Sequence, residues 1–486
     1  MRFLPHKIFI YHLYIFQLEE YDILRYLKSH KNKGTFPPST LRKSIVWTQK
    51  AELIAVLAFT LQFICSLAIA VFAYITFRSD VVFIATFLVI LYMLIILSFM
   101  FQIFAALILK PLEIFQKNRI VNAAKKKIQG LPDLEIIGIT GSYGKTTMKE
   151  TVYTILKEQF NVVKTEGNNN TPLGIARTIL NKIDKNTEIF VVEMGEYVKG
   201  DVAALCEIAQ PHISIITGIN EAHLERYKTM ENAISTKFEI VEYAKKDATI
   251  IMNADDKLIL DNYPKYIGDH YHLFFSSKNH DYATYKIRNE EFMQDGSGQS
   301  FEVYNEHESI GTVKVPVIAE YIKGNVVAGV IVARMMGMKE PLIRMGISQI
   351  KPVEHRLQPR MNANNILVID DTYNGNSDGV REGIALLKKF ESRRKVYVTP
   401  GLVETGALAE SIHLEIGKQL ASAADLVILI RNSVTGFIYK GLKDAEYPED
   451  KIIWYDNSKK AYNELFTHLQ ANDVVLLQND WTDNYS

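Results

Sequence analysis

Apolar residues are spread very unevenly along the chain. From Leu53 to Phe77 twenty-five residues pass without a charge, Gln62 being the strongest polar group among them. After Arg78, Ser79 and Asp80 a second uncharged run, Val81 to Leu109, covers twenty-nine residues and holds only Gln102 as a strong polar group. As a helix at about 1.5 Å per residue the first run reaches about 37 Å, beyond the roughly 30 Å hydrocarbon core of a bilayer. The pattern predicts a transmembrane hairpin over residues 51–110, preceded by a basic segment (1–50) with an interfacial helix in its first thirty residues. Thr35-Phe36-Pro37-Pro38-Ser39 breaks the chain before the first span. A linker helix follows over 111–132.

Beyond Gly130-Leu131-Pro132 short apolar strands alternate with amphipathic helices, the signature of α/β layering. Strands are expected at 134–140, 189–193 and 212–217, and helices at 148–158, 202–209 and 231–244. Residues 270–316, with short alternating segments and the turn Asp295-Gly296-Ser297-Gly298, suggest a β-rich insertion. A second α/β unit begins near Lys351-Pro352, with strands at 366–370, 395–399, 425–430 and 473–477. The expected organisation is thus a central domain over 133–350 and a C-terminal, Rossmann-like domain over 351–486.

The charge balance changes little overall and much locally. Across 486 residues Lys and Arg match Asp and Glu at 55 each, which excludes a whole-chain attraction to nucleic acid. Residues 1–50 nevertheless carry nine basic side chains against three acidic, and residues 110–130 six against one. Positive flanks stay in the cytoplasm, so both ends of the hairpin, and with them the α/β domains, are expected there, as a multi-pass protein of the cell membrane whose flanks meet anionic lipid headgroups. Only Cys65 and Cys206 are present, too few for a disulfide framework or a cysteine-rich zinc site.

The stretch with the most chemical content is Thr140-Gly141-Ser142-Tyr143-Gly144-Lys145-Thr146-Thr147, where a strand turns into a helix. Such a turn suits phosphate: glycines let backbone amides close on the anion, and the helix N-terminus adds positive potential. Lys145 reaches outer phosphates, and a Thr hydroxyl suits Mg²⁺. The common P-loop spacing would require glycine at 139, which is Ile, so this is a shorter form. The strand ending Val191-Val192-Glu193 places a carboxylate where an open α/β sheet binds its ligands.

With these segments, the run Gly167-Asn168-Asn169-Asn170, the segment Asn220-Glu221-Ala222-His223 and the C-terminal runs Glu354-His355-Arg356 and Asp370-Asp371-Thr372, the chain resembles the Mur ligase superfamily from about Asp133 to its end. These are ATP-dependent enzymes that join amino acids or peptides to a carboxylate. The resemblance implies ATP and two Mg²⁺ ions. Thr146 and Glu193 would hold the ion bridging the phosphates. His223 would bind a second ion, and Lys237, fourteen residues on, would be carbamylated into a carboxylate-like ligand. Asn168 and Asn169 would face the acceptor, Asn325 the adenine, and Arg356 and Asp371 the ribose and phosphates. His413 would lie near the incoming amine. Without the family, Lys237 on an amphipathic helix would be a surface residue and a lone His a structural one.

The resemblance further implies an acyl phosphate: the γ-phosphate passes to the acceptor carboxylate, the amine attacks, and phosphate leaves. Lys145 and the two ions would neutralise the crowded oxyanions, and closure of the C-terminal domain would exclude water. Residues before 133 do not resemble the family's N-terminal domain for a UDP-sugar; the hairpin stands in its place. The acceptor is therefore expected to be a small-molecule or lipid-linked carboxylate, and the amine an amino acid or peptide. A non-catalytic nucleotide-binding scaffold at the membrane is the alternative. An ATPase driving transport is disfavoured, because the spans carry no ionisable residue.

Overall fold

The computed structural model describes residues 5–33, 45–167, 169–196, 198–220, 227–362, 364–372, 376–402, 405 and 408–479. The chain divides into two compact units, Met1–Arg119 and Ile120–Ser486. In the first, helices Pro5–Leu18, Ile23–Lys33, Gln49–Phe77 and Asp80–Ile96 precede Ser98–Gln129, whose last ten residues belong to the other unit. Gln49–Phe77 and Ser98–Gln129 are long and apolar enough to cross a membrane, by length and composition.

The second apolar run differs from its expectation. It is not one span: a break at Leu97 separates Asp80–Ile96 from Ser98–Gln129, and the latter continues through Pro111 to form the expected linker without interruption. Polar side chains explain the break. Gln62 Nε2 donates to the Leu94 carbonyl at 3.0 Å, claiming an acceptor that the next turn of helix would use, and Ser98 Oγ pairs with His12 Nδ1 at 2.7 Å. The buried positions of Gln49–Phe77 are Ala51, Ile54, Ala58, Gln62, Ser66 and Ala70, a stripe of mostly small residues at helical spacing that lets a neighbouring helix approach closely. The first helix is also not simply laid on a surface, because Leu13, Ile15 and Phe16 are buried in one cluster with Ile54, Ala58 and Ala105. The Thr35–Ser39 break lies outside the described residues.

Among the described residues the second unit holds three sheets. β1 (Glu135–Thr140), β2 (Val162–Lys164), β3 (Ile189–Glu193), β4 (Ile213–Ile216), β5 (Thr249–Asn253) and β6 (His272–Phe275) form a parallel sheet in the order β2-β3-β1-β4-β5-β6. Both faces are covered. Ile137 and Ile139 of β1 enter one core, and Ile136 enters another with Phe190 and Val192. This explains near-continuous apolar strands rather than alternating ones. β7 (Lys286–Phe292), β8 (Gln299–Tyr304) and β9 (Ser309–Val315) make the antiparallel insertion. It begins later than expected, since β6 pairs with β5 and closes the main sheet.

The C-terminal sheet runs β10-β11-β15-β12-β13-β14, parallel except for β10, from β10 (Gln358–Met361), β11 (Leu367–Asp371), β12 (Lys395–Thr399), β13 (Leu426–Ile430), β14 (Ile452–Tyr455) and β15 (Val474–Gln478). The insertion packs on this domain. Phe292 meets Phe390 edge to face at 5.1 Å between ring centroids, Gln294 Nε2 donates to the Lys389 carbonyl at 2.7 Å, and Arg393 Nε donates to the Gln294 carbonyl at 3.1 Å.

Candidate active site

The glycine turn is built as the sequence requires. β1 ends at Thr140, and the helix Lys145–Leu156 opens at Lys145, three residues earlier than its apolar periodicity suggested, with Gly144 at φ 76° as its N-cap. At Gly141, where φ is 142°, a Cβ would stand 2.2 Å from Thr217 Oγ1, so only glycine lets the turn lie on residues 217–218. Ser142 N donates to the Gly218 carbonyl at 2.7 Å, and Asn220 N donates to Ser142 Oγ at 3.1 Å. Tyr143 donates its hydroxyl to Asp256 Oδ2 at 3.1 Å; burial, with Asp256 and Asp378 reinforcing it, pushes that hydroxyl's pKa up.

Two carboxylates and three lysines gather beside the turn. Lys145 donates to the Gly141 carbonyl and stands 3.4 Å from Glu196 Oε1. Lys237 Nζ approaches the same oxygen at 3.4 Å and donates to the Tyr227 hydroxyl at 2.9 Å. Thr140 Oγ1 donates to Glu196 Oε2 at 3.3 Å. Lys237 is 1% exposed, so the surface reading of its helix fails. Burial pulls its ammonium below the ordinary lysine range; Glu196 opposes that shift and Lys145 adds to it.

Glu193, at the end of β3, is likewise buried. It accepts from Lys149 Nζ at 3.0 Å and from Asn170 Nδ2 at 3.1 Å, and Lys149 also donates to the Gly167 carbonyl at 2.7 Å. Glu196, Lys149 and Asn170 were not singled out from the sequence. Their signals were present: Glu196 is a second acid three residues after Glu193, Lys149 lies one turn beyond Lys145 on the same helix, and Asn170 closes the run 168–170. Asn169 is exposed, its amide donating to the Glu166 carbonyl at 3.0 Å. Asn168 and His223 lie outside the described residues.

Thr146 is half-buried in the first turn of the helix, and Thr147 is buried and hydrogen-bonded to Tyr321. Asn325 sits on the helix Tyr321–Met335, and its Nδ2 is buried with no hydrogen-bond partner among the described residues. That unused donor fits a purine ring nitrogen. Glu193, Glu196 and the Thr146 hydroxyl are hard oxygen donors of the kind Mg²⁺ prefers. Among the described residues no three His, Cys, Asp or Glu side chains are grouped closely enough to hold a metal ion.

Two C-terminal residues hold backbone. Asp371, wholly buried, accepts from Leu357 N at 3.0 Å and from Gln478 Nε2, fixing the turn that contains Arg356. His413 is buried beneath the loop that begins at Gly401: its Nε2 accepts from Leu402 N at 2.9 Å and its Nδ1 faces the Ala409 carbonyl at 2.6 Å. Burial lowers its pKa.

Residues 139–333 match the family description "Mur ligase middle domain", and residues 355–478 match "Mur ligase, glutamate ligase domain". The UDP-N-acetylmuramoyl-tripeptide–D-alanyl-D-alanine ligase of Bacillus subtilis is 27% identical over 358 residues, 73% of this chain and 75% of that one. The Escherichia coli enzyme of the same name is 27% identical over 290 residues, 59% of this chain and 62% of its own length. Among solved structures, MurF from Acinetobacter baumannii aligns with a TM-score of 0.66 at 23% identity, over 75% of this chain and 77% of that one. MurF ligase from Thermotoga maritima in complex with ADP gives 0.64 at 27%, over 75% and 80%.

Proposed function

This chain belongs to the Mur ligase family, and from that premise we propose that it is a membrane-anchored, ATP-dependent amide ligase of cell-envelope precursor synthesis. The observation that carries the reading is the arrangement of Lys145 against the buried Glu196 and Lys237 at the mouth of the glycine turn, with Glu193 held by Lys149 beside it. A scaffold that only displayed a nucleotide fold would have no use for a desolvated lysine facing a carboxylate there.

In this reading the acceptor carboxylate takes the γ-phosphate of ATP and becomes an acyl phosphate, which the deprotonated amine attacks to give the amide and phosphate. Lys145 and the helix N-terminus stabilise charge on the transferred group. Asn325 Nδ2 receives the adenine. Glu193, Thr146, His223 and a carbamylated Lys237 are the proposed holders of divalent cations, which supply charge neutralisation at the phosphates when bound. The depressed basicity of Lys237 favours that modification, because CO₂ adds only to the neutral amine. Arg356 is proposed for the nucleotide phosphates.

The relatives are named for a UDP-linked acceptor and D-alanyl-D-alanine. Here the apolar helices Gln49–Phe77 and Ser98–Gln129 support a different delivery, in which a lipid-linked acceptor shares the bilayer with its enzyme and meets it at high effective concentration. Basic flanks at 1–50 and 110–130 support a cytoplasmic side for the catalytic domains.

The test uses the full chain in detergent with ATP, Mg²⁺, and pools of UDP-linked or lipid-linked muramyl peptides with amino acids or dipeptides. Phosphate release that requires both acceptor and amine is the expected result. Release without either would make the protein an ATPase, and nucleotide binding without turnover a scaffold.

A further inference from the structure

Three contacts between the central and C-terminal domains come from one helix, Ser377–Lys388, and the residue that follows it. Asn220 Nδ2 donates to Asp378 Oδ2 at 2.7 Å. One turn further, Glu382 Oε1 accepts from Glu320 N at 2.7 Å and from Tyr321 N at 3.2 Å. Just past the helix end, Lys389 pairs with Glu320. Asp378 and Glu382 are four residues apart and therefore share a helix face.

What they grip gives the contacts their meaning. Asn220 is the residue whose amide donates to Ser142 in the glycine turn, so Asp378 reaches the phosphate-facing loop through a single intermediary. Glu382 reaches the start of the helix Tyr321–Met335, the element that carries Asn325 and its unpartnered Nδ2. That helix has no side-chain cap of its own. Its first amides find their acceptor in the other domain, and a carboxylate at a helix N-terminus is also the charge that the helix dipole favours. Two walls of one nucleotide site are thus held by two acids one turn apart on a helix of the neighbouring domain.

We infer that Asp378 and Glu382 are positioning residues through which the C-terminal domain sets the phosphate wall and the adenine wall of the nucleotide site at once. The inference rests on the nucleotide reading above but adds residues outside the glycine turn and outside the cation-holding group. It accounts for the acid at 378, which would repel phosphate if it faced the ligand directly. Here its Oδ2 is turned to Asn220 and its Oδ1 to Arg381, whose Nη2 lies 2.6 Å away.

Two measurements on the full chain in detergent test it. Affinity for a fluorescent, non-hydrolysable ATP analogue in Mg²⁺ should fall on the order of tenfold in Asp378→Ala and equally in Asn220→Ala, with the double variant no worse than either, because all three break the Asn220–Asp378 bond. Asp378→Asn, whose amide oxygen still accepts from Asn220, should keep most of the affinity, and Arg381→Ala should leave it unchanged. Without nucleotide, trypsin cleavage after Arg356, between the domains, should quicken in Asp378→Ala, Asn220→Ala and Glu382→Ala. The first two should again be non-additive. Additive losses, or cleavage rates equal to the parent chain in all variants, overturn the inference. A parent chain that shows the cleavage coupling and binds no nucleotide overturns the proposed function and leaves the interdomain role standing.

Discussion

The ammonium groups of Lys145 and Lys237 approach a single oxygen, Oε1 of Glu196, each at 3.4 Å. Glu196 is 2% exposed in its side chain and Lys237 1%, so water does little to screen that pair, while Lys145 is half-buried. In Glu196→Gln the two cations would lose the carboxylate they share, leaving only Glu239 to act on Lys237. The expected loss is about 3 kcal/mol of stability, the cost typical of breaking a buried ion pair from one side. Denaturant unfolding of the variant against the parent chain measures it, and a change of a few tenths would mean that the pair is solvated in solution.

Lys237 also fixes a pH dependence. Its folded pKa is lowered, chiefly by burial, so between that value and the ordinary lysine value of 10.5 the unfolded chain binds more protons than the folded one. Stability contributed at this position is fully present above 10.5 and is lost as pH falls through the folded pKa. Lys237→Met should flatten the rise of stability with pH across that window relative to the parent chain. The same variant should abolish ligation, and added bicarbonate should raise the activity of the parent chain but not of the variant. Thermal unfolding over a pH series and phosphate release with and without bicarbonate are the two measurements.

Asn325 separates folding from binding. Its buried Nδ2 lacks a partner, so Asn325→Leu removes an unsatisfied group and should leave the melting temperature unchanged or higher. Affinity for ATP, however, should fall by about 1–2 kcal/mol, the value of a hydrogen bond lost from a buried site. Calorimetric titration against a melting curve separates the two effects. A destabilised variant with unaltered affinity would place the adenine elsewhere.

The insertion acts as a clasp on the C-terminal domain through Phe292, Gln294 and Gly296, whose Cβ position would stand 2.8 Å from the Leu367 side chain. Phe390 is wholly buried against it. Phe390→Ala should cost about 3–5 kcal/mol and expose the 292–298 turn to proteolysis before the rest of the domain. Peptide mapping of early cleavage products tests this order.

Much of the frame was legible because burial of a parallel sheet leaves plain marks. β3 ends at Glu193 and β12 spans Lys395–Thr399 as their apolar runs predicted. β2, β5, β10 and β14 were not anticipated. β10 spans Gln358–Met361, an edge strand with Pro359 and exposed positions that lacks the apolar run by which central strands announce themselves. The break at Leu97 was hidden for another reason: it is enforced by Gln62 and His12, which come from other helices, and no glycine or proline marks it locally. In the site, Lys145 could be read from the turn chemistry. Lys149 was marked only by its place one turn beyond Lys145, a weak sign because a buried lysine and a surface lysine look alike until the fold brings Glu193 and Gly167 to it.

Glu193 and Glu196 each meet a lysine from within the protein, Lys149 for the one and Lys145 with Lys237 for the other. On the proposed reading, divalent ions would be latecomers to a site whose acids are already neutralised, and assembly of the fold would not wait for them. EDTA should leave both domains intact, so a preparation stripped of ions keeps its shape and regains its occupant on dialysis, unlike a zinc finger, which unravels.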